Sequence, residues 1–204
     1  MFDRAINEFP NFASYKKQNI MKNNLMTPRF IVLAGIVIFG AFMRFVPHWP
    51  NFTPIAAMAL FGGAYFSKKY LAFAIPLIAM FISDLLIGLH SSMIAVYVAF
   101  AITVMIGFAI RSKISLVSVA GASILSTIIF FLITNFASWL AIPYYTKDFA
   151  GLMQAYAAGL AFFNNGSMGI SFFMNSLLAG LFYNGLFFGA FYLVRQKFPS
   201  LARA

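Results

Sequence analysis

Few side chains in this sequence can do polar chemistry, and most of them fall at one end of its apolar runs. Asp84 is the single acidic residue inside such a run. A carboxylate in hydrocarbon is costly and ordinarily faces a partner or a wet cavity. Counted from the outer end of its run, Asp84 sits roughly 9 Å deep at 1.5 Å per residue. Arg44 stands at a comparable level, so the sequence predicts an Asp84–Arg44 pair. Such a pair either fixes helix packing or lines a substrate cavity. His48 and His90 both fall in outer turns. Two imidazoles at one end could bind a metal or a metal-containing ligand; they could equally be interfacial. Asn51, Asn135, Asn164, Asn165 and Asn175 converge on the same end, where amides could hydrogen-bond a neutral polar ligand. Trp49, Trp139, Tyr144, Tyr145 and Tyr156 gather there too, which an aromatic belt at the membrane interface also explains.

Catalytic patterns are missing. The chain has no cysteine, which excludes disulfides, thiolate metal sites and cysteine nucleophiles. Gly121-Ala122-Ser123 and Gly166-Ser167 do not complete a Gly-x-Ser-Gly pattern. There is no HExxH, no pair of acidic residues to hold two metals, and no phosphate-binding loop. No catalytic residue, metal or cofactor is therefore assigned.

The elements that must position these residues are apolar helices. The chain is 62% hydrophobic and 9% charged, with a mean hydropathy of +0.88. A soluble domain would carry about 25% charged residues. The composition points to an all-α polytopic membrane protein with six transmembrane helices. The runs are Phe30 to Val46, Pro54 to Phe66 with Thr53 as N-cap, Tyr70 to Leu89 with a kink at Pro76, Ser92 to Ile110, Ser115 to Ile142, and Ile170 to Val194. The second is short for a core of about 30 Å. Residues 1–29 read as a polar cytoplasmic segment, with Met21 and Met26 as alternative starts. Residues 30–195 form the transmembrane domain and 196–204 a basic cytoplasmic tail.

Charge sets the expected orientation. With the N-terminus inside, twelve Lys and Arg lie on the inner side and only Arg44 and Lys147 outside. That bias puts both termini in the cytoplasm. It also accounts for the +10 net charge without nucleic acid as a partner.

Between the fifth and sixth runs, Phe149, Leu152, Met153, Tyr156, Leu160 and Phe163 recur at helical spacing. They predict an outer amphipathic helix lying on the bundle, either a connector or a lid. Asn164 to Ser167 follow as non-helical backbone. No similarity between halves suggests an inverted repeat. Ala59 with Gly63, and Gly185 with Gly189, are small-residue pairs that let helices approach closely.

Four stretches carry a family resemblance: RFVPHWPNFTPIAAMALFGGAYF, ISDLLIGLHSSM, FFLITNFASWL and FFMNSLLAGLFYNGLFFG. Over roughly residues 29–195 the chain resembles a family of uncharacterised bacterial six-helix transport-type membrane proteins. These are akin to the substrate-binding (S) components of energy-coupling-factor vitamin transporters. PNFTPIAA and SDLLIG are the most specific parts. The resemblance implies a substrate held near the outer face by the loops between helices one and two, three and four, and five and six. It further implies a bacterial cytoplasmic (inner) membrane location. The implied partners are the lipid bilayer, a small-molecule substrate such as a vitamin or its precursor, an energy-coupling ATPase module and a scaffold subunit. Cobalamin relatives use a cysteine as cobalt ligand; here only His90 or His48 could take that place. Leu181 stands where relatives carry an aspartate.

The expected substrate-binding set is Arg44, His48, Trp49, Asn51, Asp84, His90, Asn135, Trp139, Tyr156, Asn164 and Asn175. The alternatives are a structural or assembly membrane protein, in which these groups only pack helices, and an intramembrane enzyme.

Overall fold

A computed structural model describes residues 26–89, 92–161 and 171–202. Among the described residues there are seven α-helices and no strand: α1 Pro28–Met43, α2 Ile55–Tyr65, α3 Lys69–Ile87, α4 Met93–Ile110, α5 Leu116–Ala141, α6 Phe149–Ala161 and α7 Phe172–Lys197. Four stretches are long and apolar enough to cross a membrane: Lys69–Ile87, Met93–Lys113, Leu116–Ala141 and Phe172–Lys197. Pro28–Met43 and Ile55–Tyr65 are apolar but shorter.

The helix starts follow local chemistry. Thr27 accepts a hydrogen bond from the Phe30 amide at 3.1 Å, with Pro28 in the first turn, where a missing N–H is no loss. Ser115 and Ser118 cap α5 reciprocally, and Ser171 accepts from the Met174 amide at 3.1 Å to start α7. Gly88 ends α3 at φ +123, a conformation that side chains with a Cβ avoid. The expected cap of α2 shifts by one residue. Pro54 occupies the N-cap and no side chain caps the helix.

Helix α2 is the axis of the bundle. Ala57 to Phe66 are all buried, and the helix packs against α1, α3, α4, α5 and α7. It is apolar on every side, as a helix surrounded by others must be. Phe61 and Tyr65 meet Phe187, Phe188 and Phe191 of α7 in an aromatic cluster, with Tyr65 and Phe191 centroids 4.6 Å apart. On the opposite side Gly63 faces Gly107 of α4, and a Cβ on Gly63 would overlap the Val104 carbonyl. The Ala59–Gly63 surface is thus a close-approach face. Gly185 and Gly189 are not: nothing lies within 4 Å of a Cβ built on either.

The outside of the bundle is apolar. Leu86, Ile94, Leu116 and Val117 are all more than 70% exposed. Ser83, Asp84, Thr103, Ser123, Ser126, Thr127, Asn175 and Asn184 are buried instead. A greasy exterior over a partly polar interior belongs to a membrane-embedded protein, because lipid solvates the exterior and the polar groups must find partners inside.

The two ends differ. At one end, Arg29 donates to the carbonyls of Leu201 at 2.8 Å and Tyr65 at 3.2 Å. Arg111 donates to Gly63 at 2.7 Å and to Phe66. Two guanidiniums thus hold the carbonyl end of α2, where the helix dipole favours cations. The opposite end collects the turn from Arg44 to Pro54, the start of α7 and the end of α5.

Helix α6 packs on α5 and α7 with a different face from the one expected. Gly151 and Ala155 are buried, whereas Phe149, Met153 and Leu160 are exposed. The small residues allow close approach, and the large ones face outward.

Candidate functional site

At about 1.5 Å per residue, α2 is roughly 16 Å long, well short of its neighbours. The missing turns at its N-terminal end leave a hollow. This cavity has a volume of about 350 Å³ and is lined from α2 and its approach by Asn51, Thr53, Ile55 and Ala56. Its longest wall comes from α5: Thr127, Phe130, Phe131, Thr134, Asn135 and Ser138. The rest is Ser92 and Val96 at the start of α4, Gly159 of α6, and Phe172 and Ser176 of α7. None of these side chains carries a charge.

The approach to α2 is shaped by Asn51, which sits at φ +62. Asparagine tolerates that left-handed region better than most residues. Asn175, 2% exposed, donates to the Pro50 carbonyl at 2.9 Å. Ser176 reaches the Asn51 carbonyl at 3.5 Å. Helix α7 thereby holds the turn that forms the cavity's edge.

Four of the wall hydroxyls are bonded in the same way. Thr134 donates to the Phe130 carbonyl at 2.8 Å, Ser138 to Thr134 at 2.9 Å, Thr127 to Ser123 at 3.0 Å and Ser176 to Phe172 at 2.9 Å. A carbonyl can only accept, so each hydroxyl gives its proton to its own helix. Toward the cavity these oxygens can only accept. Asn135 donates to the Phe131 carbonyl at 2.9 Å. Its Oδ1 lies against Gly159, where any Cβ would overlap it. That glycine lets α6 close over the Asn135 amide.

The expected site residues do not form one concavity. Asn51 and Asn135 line the cavity together. Asn175 lies beneath its edge and positions the turn. Arg44 and Asp84 do pair, at 2.6 Å between Nη2 and Oδ1, with the two side chains 9% and 2% exposed, but neither lines the cavity. Tyr97 donates to the other Asp84 oxygen at 2.8 Å, and Arg44 also donates to the Met80 carbonyl at 3.2 Å and to Ser83. The pair's hydrogen bonds run to α3 and α4, from the residue that caps α1.

His48 and Trp49 line a separate open groove of about 510 Å³ with Met43, Val46, Pro47, Phe52 and Tyr183. That groove and the cavity share no lining residue. Trp139 donates to the Thr146 carbonyl at 2.8 Å, and the Lys147 ammonium lies 5.6 Å from its ring centre. Lys147 also donates to the Ile142 carbonyl at 2.8 Å, closing the carbonyl end of α5. Tyr156 donates to Leu132 at 3.0 Å and its ring stands 5.9 Å from that of Phe131. These two aromatics therefore brace the wall instead of lining it. His90 and Asn164, like Asn165, Gly166 and Ser167, lie outside the described residues. Among the described residues, no three His, Cys, Asp or Glu side chains come together as a metal site would need.

The sequence reading missed Thr127, Thr134, Ser138 and Ser176. The signal was available: Ser123, Thr127, Thr134 and Ser138 recur at intervals of four, seven and four, which is one face of a helix.

Asp148 is the clearest electrostatic case outside the long apolar helices. It accepts from the Gly151 amide and from the Thr146 hydroxyl, each at 2.8 Å. The amide bond first, and then the hydroxyl, holds its carboxyl below the ordinary carboxylate value.

A family model described as a family of unknown function (DUF6580) matches residues 24–201. The chain belongs to that family. No curated protein and no solved structure matches it.

Proposed function

We propose that this member of the family is a membrane transport protein, either a substrate-capturing subunit or a solitary facilitator for a small organic molecule such as a vitamin or its precursor. The observation that carries the reading is the cavity above the start of α2. Its volume of about 350 Å³ falls in the ligand-pocket range of roughly 300–1,000 Å³. It combines the rings of Phe130, Phe131 and Phe172 with Asn51, Asn135 and a set of hydroxyls. An apolar body with a few placed polar groups is the usual character of a small-molecule site. A helix N-terminus without a side-chain cap adds unsatisfied amide donors at its floor. Transporters commonly build their sites from short or interrupted helices of this kind.

On this reading α1, α2, α3, α4, α5 and α7 make six crossings of a bacterial cytoplasmic membrane. The missing outer turns of α2 are the binding site, and α6 lies on the outer side beside it. The end held by Arg29 and Arg111 faces the cytoplasm, together with both termini, which satisfies the positive-inside bias. Energy comes from the substrate gradient or from an ATPase module joined through a scaffold subunit.

Purified protein heated with each member of a vitamin panel tests the reading. A compound that raises the melting temperature of the wild type but not of Asn135→Leu supports it. No stabiliser in the panel, with full function in cells of an Asn51→Ala, Asn135→Leu double variant, would return the chain to the assembly class. Affinity capture from native membranes addresses the partner: an ATPase pair with a helical scaffold subunit marks a subunit, and capture of neither marks a solitary carrier.

A further inference from the structure

Next to the cavity-lining Thr127, α5 and α7 hold further buried polar groups, Ser123, Ser126 and Asn184, that the binding reading does not use. Ser123, Ser126 and Thr127 occupy one turn of α5 and are each at most 2% exposed. Asn184 of α7 is 1% exposed. It donates to the Ser123 hydroxyl oxygen at 3.1 Å and to the Gly180 carbonyl at 2.8 Å. Gly180 lets the two helices meet, since a Cβ there would stand 3.0 Å from both Ser123 Oγ and Thr127 Oγ1. The Gly180 carbonyl can only accept, so the amide orientation of Asn184 is fixed with nitrogen toward it. Its Oδ1 is then left buried with no hydrogen-bond partner, as is the hydroxyl of Ser126.

These groups stand near the midpoints of two 26-residue helices, the depth at which an unsatisfied polar atom costs most. Leaving a buried polar atom without a partner is costly. Ser126 adjoins the cavity-lining Thr127 in sequence, and Asn184 bonds Ser123 one turn below it, so the bundle is built to receive something there. What fits is chemically narrow. An amide oxygen takes only a donor. The hydroxyls of Ser138, Thr134 and Thr127 also face the cavity as acceptors, having given their protons to their own helix. From Ser138 down to Ser123 the row runs about 22 Å at 1.5 Å per residue, and the cavity portion has no charged side chain beside it.

We propose that the cavity continues inward as a polar track along the seam of α5 and α7, ending at Asn184, and that it admits uncharged hydrogen-bond donors. Water and the hydroxyl or N–H groups of a transported molecule share this chemistry. The proposal rests on the binding reading for its physiological meaning and adds the route and the class of substrate: an uncharged molecule whose donors meet the track and whose acceptors meet the α2 amides. Asn184 is the inner station of the track, and Thr127 links it to the cavity.

The chain has no cysteine, so single cysteines report access directly. Thr134→Cys, Thr127→Cys, Ser126→Cys and Asn184→Cys are placed one at a time in the full chain in native membrane vesicles. Each is treated with neutral methyl methanethiosulfonate and with its trimethylammonium analogue. Val104→Cys, in the dry contact of α2 and α4, is the control, and each variant is first shown to elute as the wild type does. Modification of a dry core site requires local opening, so the track predicts that the neutral reagent modifies the Thr134, Thr127 and Ser126 or Asn184 sites at least about tenfold faster than the control. The cationic reagent falls behind increasingly with depth. If Thr134→Cys reacts but both Ser126→Cys and Asn184→Cys match Val104→Cys, the track is wrong and the cavity reading stands. If Thr134→Cys is itself inert, the cavity reading fails first. To separate the sources, a donor-rich neutral compound that protects Asn184→Cys identifies a ligand route. Modification that no compound of the vitamin panel slows identifies water.

Discussion

Replacing Asp84 by leucine should be among the most damaging single changes in the described chain. The carboxylate holds the Arg44 guanidinium at 2.6 Å and accepts from Tyr97 at 2.8 Å. Removing it leaves a cation that is 9% exposed with only the Met80 carbonyl and the Ser83 hydroxyl. Removing one partner of a buried pair costs about 3–5 kcal/mol, mostly because the other charge stays buried. For a chain of this size that corresponds to a fall in melting temperature of roughly 6–20 °C. Arg44→Met should cost a similar amount, since it strands the carboxylate. The double variant Arg44→Met, Asp84→Leu removes both charges and should recover most of the loss, as apolar replacements of whole buried pairs do. The assay is thermal unfolding of the detergent-purified protein for all four members of the cycle, with ligand-free binding-site variants as a reference. Costs that simply add in the double variant would refute the idea that the pair acts as one neutral unit. Because the pair lines no cavity, ligand affinity of the double variant should equal that of the wild type.

Other contacts in the bundle give further expected outcomes. Gly63→Val should destabilise by at least about 1–3 kcal/mol through overpacking against Val104, whereas Gly185→Ala, inside α7 and meeting nothing within 4 Å, should raise stability slightly, by up to about 1 kcal/mol. Arg111→Met removes donors from the Gly63 and Phe66 carbonyls and should cost about 1.5–3 kcal/mol per bond to the charged group, read by the same unfolding assay. The carboxyl of Asp148 is held below its ordinary value, so its support of α6 is complete above the ordinary carboxylate value and fades as pH falls through the lowered one. Trp139 emission in a Trp49→Phe background should therefore stay flat from neutral pH down to about 4 and change only below it; a midpoint above that value would contradict the hydrogen-bonded cap.

The apolar runs made the helices legible, and the shortness of α2 was visible between Pro54 and Lys68. The Arg44–Asp84 pair could be read from depth alone, since a lone acid in a greasy run has few partners within reach. Which face of each helix turns inward was harder. In water the contrast between polar and apolar faces reveals the core; in lipid both sides are apolar and the contrast fades. Only sparse polar spacing marks the interior face, as in Ser123, Thr127, Thr134 and Ser138. That His48 and Trp49 line one hollow and Asn51 another was not legible, because neighbours in sequence part in how the turn folds, with Asn51 in left-handed backbone. Helix α6 misled for a related reason. Its large residues suggested a packed face, but the close approach to α5 is made at Gly159, while Gly151 sits against Thr146 of the connecting turn.

The most direct test of the central claim is a binding isotherm. A compound that stabilises the wild type is titrated into wild-type protein and into a Thr134→Val, Asn135→Leu variant with unchanged melting temperature. Loss of two neutral hydrogen bonds, at about 0.5–1.5 kcal/mol each, should weaken Kd roughly 5- to 150-fold. An unchanged Kd would place the ligand elsewhere and remove the cavity above α2 from the account.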